Sequence, residues 1–328
     1  MKKRTLLCCF LLASIGLTTV SLGQEKTLTI ATFNCAFLTR PKVHIKFGLP
    51  FDIDDASQQE QDEWAQPGFR DQKYNEAAKA VAEVVHLIGA DVIALVEVGN
   101  DDDVIELRDE ILALGLDYPH AAVGRSRDTA TRQYVAVLSR YPLSDLVEEI
   151  PGRESFLEEL DDPETEDDTG ISKGMRVTVT AHGHDFLLYV VHLASERGGH
   201  EQDQQRIAQA SIVRRHYLPA LRNGALVIVA GDLNDKRGHP AIHRIRGLDD
   251  IDEDLIQTGL YNFFERDAED TRWTYQFQGV RQQIDHILLS RSIRDIAKSG
   301  GIRTRTVEHN NVLASDHRPL VVTLRLRD

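Results

Sequence analysis

The chain has 328 residues, 41% of them hydrophobic, with 52 acidic and 38 basic side chains and a formal net charge of −14. This acidic balance argues against tight, nonspecific binding to nucleic acid, because such binding depends on clustered Lys and Arg. It leaves open a nuclease whose site is neutralised locally by a divalent metal ion.

Residues 1–23 have the pattern of a secretory signal peptide. Three basic residues at the start are followed by the apolar run Leu6–Leu17 and then by small residues at alternate positions. A membrane anchor is the alternative, but the run is shorter than the roughly 20 residues that a span needs. Cys8 and Cys9 lie inside the apolar run, too early for a lipidation site that follows it. We therefore expect a secreted or periplasmic protein without a stable membrane anchor.

Removal of residues 1–23 takes away three basic residues and no acidic one, so the formal charge changes from −14 to −17. Only Cys35 then remains of three cysteines, which excludes an intrachain disulfide and leaves the hydrophobic core to stabilise the fold. Because no repeat or low-complexity linker interrupts the rest, we expect a single catalytic domain over residues 24–328, and a monomer.

Hydrophobic periodicity predicts alternating strands and helices along the chain. The period of two indicates strands, the period near 3.6 indicates helices, and Gly89 is placed to end the first long helix. The predicted strands are Leu28–Asn34, Asp91–Glu97, Tyr134–Leu138, Met175–Ala181, Phe186–Leu193, Ala225–Ala230, Ile284–Leu289 and Leu320–Leu326, and the predicted helices are Asp71–Ile88, Val104–Leu114 and Glu201–Leu221.

Some of these strands follow one another directly, as around the hairpin turn predicted at residues 182–185, while others alternate with helices. A purely parallel sheet therefore does not account for the pattern. Mixed sheets packed face to face, with helices outside, fit it better.

Two segments do not fit this periodicity and are predicted as long loops. Residues 40–70 contain three prolines and a polar middle, and residues 151–174 contain a run of acidic side chains. Loops of this length in a compact domain are usually functional or disordered. For the acidic run we expect a solvated loop, with a calcium site as the alternative, although the Gly and terminal Glu of an EF-hand loop are missing.

Polar side chains recur where the predicted hydrophobic strands stop. In layered α/β folds such strand ends meet in one crevice, so residues far apart in sequence are expected to lie together. A carboxylate there needs a cation as partner, and oxygen ligands favour Mg²⁺, Mn²⁺ or Ca²⁺ over zinc. The candidates are Asn34, Glu97, His192, Asp232, Asn234, Asp285, Asp316 and His317.

Six short motifs resemble, in content and order, those of the endonuclease/exonuclease/phosphatase superfamily, which includes DNase I. They are Thr32-Phe33-Asn34, Leu95-Val96-Glu97-Val98, Val191-His192-Leu193-Ala194-Ser195, Gly231-Asp232-Leu233-Asn234, Ile284-Asp285-His286 and Ser315-Asp316-His317-Arg318-Pro319. One such tetrapeptide is weak evidence, whereas six in order are strong. The resemblance implies a four-layer α/β sandwich and metal-dependent hydrolysis of a phosphoester by direct attack of water.

The resemblance also implies a role for each candidate. Glu97 would hold the metal, Mg²⁺ first and Mn²⁺ or Ca²⁺ as alternatives, with Asp316 next to it. Asn34, also beside the metal, would orient the phosphate or a metal-bound water. Asp232 would deprotonate the attacking water, and Asn234 would donate to a phosphate oxygen. Asp285 would orient His317 and favour its charged form. His192 would contact the phosphate or protonate the leaving oxygen. The same positions also have ordinary structural explanations, such as a strand-end turn for Asn34 and a core histidine for His192.

Two departures limit the resemblance. In abasic-site endonucleases the first motif reads Asn-x-Asp, whereas the third position here is Ala36. That subgroup is therefore disfavoured. In DNase I-like members an acidic residue partners the histidine equivalent to His192, and no such residue can be assigned here, because Asp128 is only nearby and Arg132-Gln133 fill the comparable stretch. The segment from His192 to Gly199, with Arg206 after it, looks most like secreted bacterial nucleases of the family.

Several substrate classes stay open. A nuclease or other phosphodiesterase is the leading interpretation, with nucleic acid among the expected partners, and Trp273–Phe277 offers aromatic rings for a base unless it is a core-facing strand. A phospholipid phosphodiesterase of the sphingomyelinase kind needs an exposed apolar hairpin, for which Phe47–Phe51 is the candidate. A phosphatase of small molecules and a non-catalytic binding module are the remaining alternatives.

Overall fold

The computed structural model describes residues 25–159, 162–249, 258–268 and 270–327. The predicted signal peptide lies outside these residues and stays a prediction. The strands are β1 (Thr27–Leu38), β2 (Val92–Val98), β3 (His120–Val123), β4 (Tyr134–Ser139), β5 (Leu143–Val147), β6 (Arg153–Leu157), β7 (Glu166–Gly170), β8 (Gly174–Ala181), β9 (His184–His192), β10 (Leu226–Asp232), β11 (Leu260–Asn262), β12 (Tyr275–Phe277), β13 (Val280–Gln282), β14 (Asp285–Ser290), β15 (Ala297–Thr306) and β16 (Leu320–Leu326).

The helices lie between the strands and outside the sheets. They are α1 (Gln58–Trp64), α2 (Phe69–Ile88), α3 (Asp101–Ala113), α4 (His200–Arg222), α5 (Pro240–Arg246) and α6 (Arg291–Ile296), with short 3-10 helices at Val43–Phe47, Ile53–Asp55, Pro163–Thr165, Glu196–Gly198 and Phe263–Arg266. Within the part of the chain that the structure describes, no helix combines the length and the apolar character needed to cross a bilayer.

Two six-stranded sheets form the centre of the fold. The first has the order β15-β16-β1-β2-β4-β3 and the second the order β11-β14-β10-β9-β8-β5. Both sheets mix parallel and antiparallel neighbours. In the first, β1 pairs in parallel with β2 but antiparallel with β16, and in the second, β10 pairs in parallel with β9 but antiparallel with β14. The predicted mixed-sheet α/β fold is therefore confirmed.

The alternation of side chains along each central strand produces the four layers. In β2, Ile93 and Leu95 pack in the core that contains α2 and α3, while Val92, Ala94 and Val96 pack in the core between the two sheets. A third core, between the second sheet and helices α4 and α5, is formed by the opposite face of β10. Because a strand places successive side chains on opposite faces, strands as apolar as β2 require cover on both sides.

The first segment predicted as a loop, residues 40–70, is largely helical, so that prediction was wrong. It contains two 3-10 helices and α1, and α2 already starts at Phe69. Ser57 begins α1 with a capping box, accepting from the Glu60 N–H while the Glu60 carboxylate accepts from the Ser57 N–H. The Trp64 and Phe69 rings then pack perpendicular to each other with their centroids 5.3 Å apart, and Trp64 joins the segment to the core.

The second segment predicted as a loop, residues 151–174, contains an antiparallel hairpin formed by β6 and β7. Its register pairs Arg153 with Gly170, and the Arg153 guanidinium lies 2.6 Å from the Asp168 carboxylate. Cross-strand pairing of this kind organises an acidic sequence that hydrophobic periodicity alone does not identify as a strand. Within the described residues the hairpin therefore replaces the predicted irregular loop.

Candidate active site

The topology brings the predicted strand ends to one edge of the two sheets. β1 and β2 run parallel and carry Asn34 and Glu97 towards it, and β9 and β10 run parallel with His192 paired to Asp232. β14 starts at the same edge because Asp285 pairs with Asp232 across antiparallel strands. His317 lies three residues before β16, whose first residue pairs with Thr32 of β1.

A cleft of about 740 Å³ opens at this edge. Six of the eight predicted site residues line it, and the other two, Asn34 and Asp285, are buried behind it. The lining members are Glu97, His192, Asp232, Asn234, Asp316 and His317. The structure therefore brings all eight predicted residues together.

Asn34 connects the two central carboxylates. Its amide nitrogen donates to Glu97 Oε1 at 3.1 Å and to Asp232 Oδ2 at 2.9 Å, while its amide oxygen accepts from the Ala36 N–H at 2.8 Å. The amide nitrogen, and not the oxygen, is therefore the atom directed at the two acids. In this arrangement Asn34 orients Glu97 and Asp232.

Glu97 is held by donors on both of its oxygens. Oε2 accepts from the Phe37 N–H at 2.9 Å and from Gln133 Nε2 at 2.6 Å, and Oε1 lies 3.7 Å from His192 Nε2. Ionised carboxylates have about four lone-pair sites, so this set orients the group and leaves capacity for a cation. Glu97 also has a left-handed backbone, with φ +59, a strained conformation for a non-glycine residue that is often found at functional sites.

A second carboxylate–imidazole group stands beside the first. His317 Nδ1 lies 2.8 Å from Asp285 Oδ2, and the Asp285 and Ile284 N–H groups both donate to Thr274 Oγ1. Burial disfavours the charged imidazole, but Asp285 and Asp232 outweigh it and raise the pKa of His317 to about 10. His317 is therefore a cation at neutral pH.

Asp232 lies between the two groups. Its carboxylate accepts from Asn34 on one oxygen and from the Asn234 N–H on the other, at 2.8 Å. Burial, followed by the nearby Asp285 carboxylate, raises the pKa of Asp232 to about 7. A carboxylate with such a pKa is suited to accept a proton near neutral pH.

Among the described residues no acidic side chain binds His192 Nδ1, although Glu97 Oε1 lies 3.7 Å from Nε2. The Nδ1 atom is buried without a hydrogen-bond partner from these residues, and the His192 backbone N–H donates to the Lys173 carbonyl at 3.0 Å. Burial, with Lys173 and His317 adding repulsion, holds the pKa of His192 well below its usual value. The imidazole is therefore neutral at pH 7 and can donate one hydrogen bond, which favours phosphate contact over proton donation.

Sequence reasoning missed residues around this group. Lys173 lies 3.1 Å from Asp128 and 3.4 Å from Gln133 Oε1, and Gln133 reaches Glu97, so a chain of polar contacts runs from Asp128 to the central carboxylate. Lys46 donates to three backbone carbonyls, of Cys35, Ala36 and Ala314, and burial lowers its pKa to about 8. No periodicity or motif marks either lysine in the sequence.

The donor set fits a hard divalent cation. Glu97, His192 and Asp232 present ligand atoms within 4.8 Å of one another. Asp232, Asp285 and His317 lie equally close together, but the charged imidazole of His317 has no lone pair with which to bind a cation. The Asp316 side chain is 58% exposed and also lines the cleft. Oxygen atoms predominate among these groups, as Mg²⁺ and Ca²⁺ require.

A family model, the Endonuclease/Exonuclease/phosphatase family, matches residues 31–317 and thus all eight candidates. The chain belongs to this family. A search of curated proteins found no significant match. The resemblance to the endonuclease/exonuclease/phosphatase superfamily is therefore confirmed, and the two mixed sheets have the layout that the resemblance implied.

Solved structures of similar fold agree with this family assignment. An endonuclease/exonuclease/phosphatase protein from Beutenbergia cavernae has a TM-score of 0.55 at 16% identity, over 92% of this chain and 72% of that one. Truncated TDP2 from Caenorhabditis elegans has 0.53 at 16%, over 91% and 97%. Beta toxin from Staphylococcus aureus has 0.53 at 13%, over 90% and 99%. Identities this low establish a shared fold and no shared substrate.

Proposed function

We propose that this protein is a metal-dependent phosphodiesterase, and specifically a nuclease, that hydrolyses a P–O bond by direct attack of water. The supporting observation is that Asp232 contacts both halves of the site. Through Asn34 it is tied to Glu97, and across the sheet it stands beside the Asp285–His317 pair. A base, a cation and a metal-binding carboxylate thus face one cleft.

Glu97 and Asp316 would hold the divalent cation, with Mg²⁺ proposed first and Mn²⁺ or Ca²⁺ as alternatives. When bound, such a cation supplies Lewis-acid stabilisation of the phosphate charge. Gln133, the Phe37 N–H and Asn34 hold the Glu97 carboxylate in place before any ligand arrives. This fixed orientation reduces the reorganisation needed during the reaction.

The residues of the chain account for the proton transfer and the charge. Asp232 would accept a proton from the attacking water as the new P–O bond forms, and the bond to the leaving oxygen breaks to give an oxyanion that takes its proton from solvent water in the open cleft. The charged His317, fixed through Nδ1 by Asp285, would present Nε2 to the phosphate oxygens, where negative charge increases in the transition state. Neutral His192 would donate a hydrogen bond to the same phosphate. Asn234 donates one amide hydrogen to the Leu193 carbonyl and keeps the second for substrate.

A phospholipid phosphodiesterase is the second candidate. The Phe47–Phe51 stretch proposed for it is only partly exposed, since Phe47 packs against the core while Phe51 is 50% exposed beside Lys42. The β12–β13 hairpin, however, exposes Phe277 and Val280 at its tip. That observation keeps a lipid substrate among those to be tested.

The purified protein should be incubated with Mg²⁺, Mn²⁺ or Ca²⁺ and with plasmid DNA, RNA, sphingomyelin vesicles or a phosphomonoester. We expect nucleic acid cleavage that EDTA abolishes. His317→Ala and Asp232→Asn should each lower kcat by a factor of about a hundred or more while the fold stays intact. His120→Ala on β3 and Asp295→Asn on α6 are matched controls. Unchanged turnover in both site variants would contradict the proposal.

We further propose that residues 1–23 are removed on export and that residues 24–328 act as one monomeric catalytic domain. The support is the basic and then apolar pattern of the first 23 residues and the match of the family model across residues 31–317. N-terminal sequencing of the exported protein and sedimentation of the mature chain would test both statements. An unprocessed N-terminus in the exported protein, or a stable dimer, would contradict them.

A further inference from the structure

We infer that the β12–β13 hairpin is a nucleobase-binding element that directs the cleft to single-stranded nucleic acid; this inference rests on the proposed function. The hairpin is formed by Tyr275–Phe277 and Val280–Gln282. Its turn residues, Gln278 and Gly279, have φ of +47 and +81. Two consecutive left-handed residues form the tight turn that matches the twist of antiparallel strands.

The base of the hairpin is fixed to the proposed catalytic residues. Tyr275 forms an antiparallel bridge with His317, and the Arg318 N–H donates to the Thr274 carbonyl at 2.6 Å. Thr274 Oγ1 also accepts from the Asp285 N–H at 3.1 Å. Because these bonds join the hairpin to both members of the Asp285–His317 pair, its side chains have a set position relative to the phosphate.

Two aromatic rings continue outward from His317. The Tyr275 ring lies 4.7 Å from the His317 ring between centroids, and the Phe277 ring lies 6.5 Å from Tyr275 with 9° between their planes. Residues at positions i and i+2 of a strand share a face, which explains why the rings are parallel. Both line the cleft, and Phe277 is 48% exposed. The alternative prediction of a core-facing strand at 273–277 was therefore wrong.

Arginines surround these rings although the chain as a whole is acidic. Arg197 lies beside Tyr275 and has its Cζ 6.0 Å from the Phe277 centroid. The Cζ atoms of Arg281 and Arg318 lie 4.7 and 3.4 Å from the centroid of the Trp273 ring. Of these three arginines, only Arg318 has a carboxylate partner, Glu308, among the described residues. Guanidinium groups next to exposed rings suit a ligand that combines an anionic backbone with planar groups.

A nucleic acid strand has this combination. With its phosphate at His317, the adjoining base would stack on Phe277 and its neighbouring phosphate would face Arg197. A base can stack on a protein ring only when it has left its own stack, so single strands are favoured over duplex. Membrane binding would require a broader apolar surface, whereas only Phe277 and Val280 are exposed at this tip, and Phe277 belongs to the cleft wall.

The test compares Phe277→Ala with wild type on a short oligo-dT strand and on an abasic strand of equal length. We expect the KM for oligo-dT to rise about tenfold, with little change for the abasic strand, because stacking on the ring requires a base. Phe277→Trp should restore the wild-type KM. Leu112→Ala on α3, an exposed apolar side chain outside the cleft lining and outside the hairpin, is the control and should change neither KM.

Equal KM increases on both strands, or no increase on either, would overturn the inference. So would a loss of binding to sphingomyelin vesicles in both Phe277→Ala and Val280→Ala, because that result would assign the tip to a lipid surface. Fluorescence anisotropy of labelled oligo-dT in the presence of EDTA measures strand binding without turnover. It therefore tests the hairpin assignment separately from the proposed nuclease function. Absence of turnover on every substrate contradicts the proposed function, whereas turnover with an unchanged KM ratio contradicts only the hairpin assignment.

Discussion

His317 Nδ1 lies 2.8 Å from Asp285 Oδ2, and both side chains are buried. The two residues are 32 positions apart in sequence. They meet because β14 and β16 both begin at the same edge of the two sheets, and His317 lies just before β16. The carboxylate orients the imidazole and stabilises its charge. His317 thereby becomes a fixed cation that lines the cleft, with Nε2 4.0 Å from the exposed carboxylate of Asp316.

Asp285→Asn should lower the pH at which activity declines on the alkaline side. With Asp285 present, the pKa of His317 is raised to about 10, so its charged form and kcat/KM should persist until the pH rises through that value. Loss of the opposite charge should shift this alkaline limb down by about 1–3 pH units. The measurement is kcat/KM against pH for both proteins. An alkaline limb unchanged by the substitution would show that His317 does not control it.

The same pair predicts a pH-dependent stability. Because the folded-state pKa of His317 is raised above its unfolded value, the charged pair stabilises the fold fully below about pH 6.5. That contribution is lost as the pH rises through about 10. Urea unfolding of wild type and Asp285→Asn at several pH values should show a stability difference that is largest at the acidic end of this window and smaller above it. A difference that grows with pH would contradict the sign.

Gln133→Leu should weaken metal binding without removing a proposed ligand. Gln133 Nε2 donates to Glu97 Oε2 at 2.6 Å, so its loss frees the carboxylate to rotate. Removing a residue that orients a metal ligand typically costs about 10–100-fold in affinity or activity. Isothermal titration with Mn²⁺ measures the effect directly. Gln72→Leu, on the exposed face of α2, is the control, and equal affinities in the two variants would refute an orienting role.

Glu97→Gln should cause a larger loss of metal affinity than Gln133→Leu, because it removes the charge that would neutralise the cation. Turnover should fall by a factor of about a hundred or more at any metal concentration, since an amide oxygen replaces the central carboxylate. Glu76→Gln on α2, where the side chain is 48% exposed and paired with Lys73, is the control. Titration with Mn²⁺ and rate measurements at saturating metal separate binding from catalysis. Wild-type Mn²⁺ affinity in Glu97→Gln would remove this residue from the metal site.

Gly231→Ala should destabilise the whole protein. Gly231 has φ +139, and a Cβ there would overlap the carbonyl oxygen of Val191 on the neighbouring strand. Strain and overlap together should cost about 3 kcal/mol or more, seen as a lower Tm. Gly183→Ala is the control, because Gly183 also has a left-handed backbone but faces open space. Its cost should be about 1–2 kcal/mol. Equal losses in the two variants would show that the approach of Val191 does not matter.

The elements that the sequence predicted well are those with a strong hydrophobic period. β16 was predicted at its observed bounds, and β2 and α2 within two residues, because a buried strand or helix must present apolar side chains at a regular spacing. The 40–70 segment was predicted wrongly because its helices are short and polar. They are stabilised by a capping box and by Trp64, whose contacts form only when the segment folds onto the core.

The eight polar residues could be identified from the sequence alone, since local patterns mark where a buried hydrophobic run begins or stops and which polar side chain stands there. Only the tertiary structure decided their partners: Gln133 and Lys173 beside Glu97 and His192, and the outward-facing rings of β12. Those contacts join residues whose separation in space depends on how two sheets pack. The hydrophobic periodicity of one strand shows which of its two faces is buried. It does not show which side chains of another strand will contact that face.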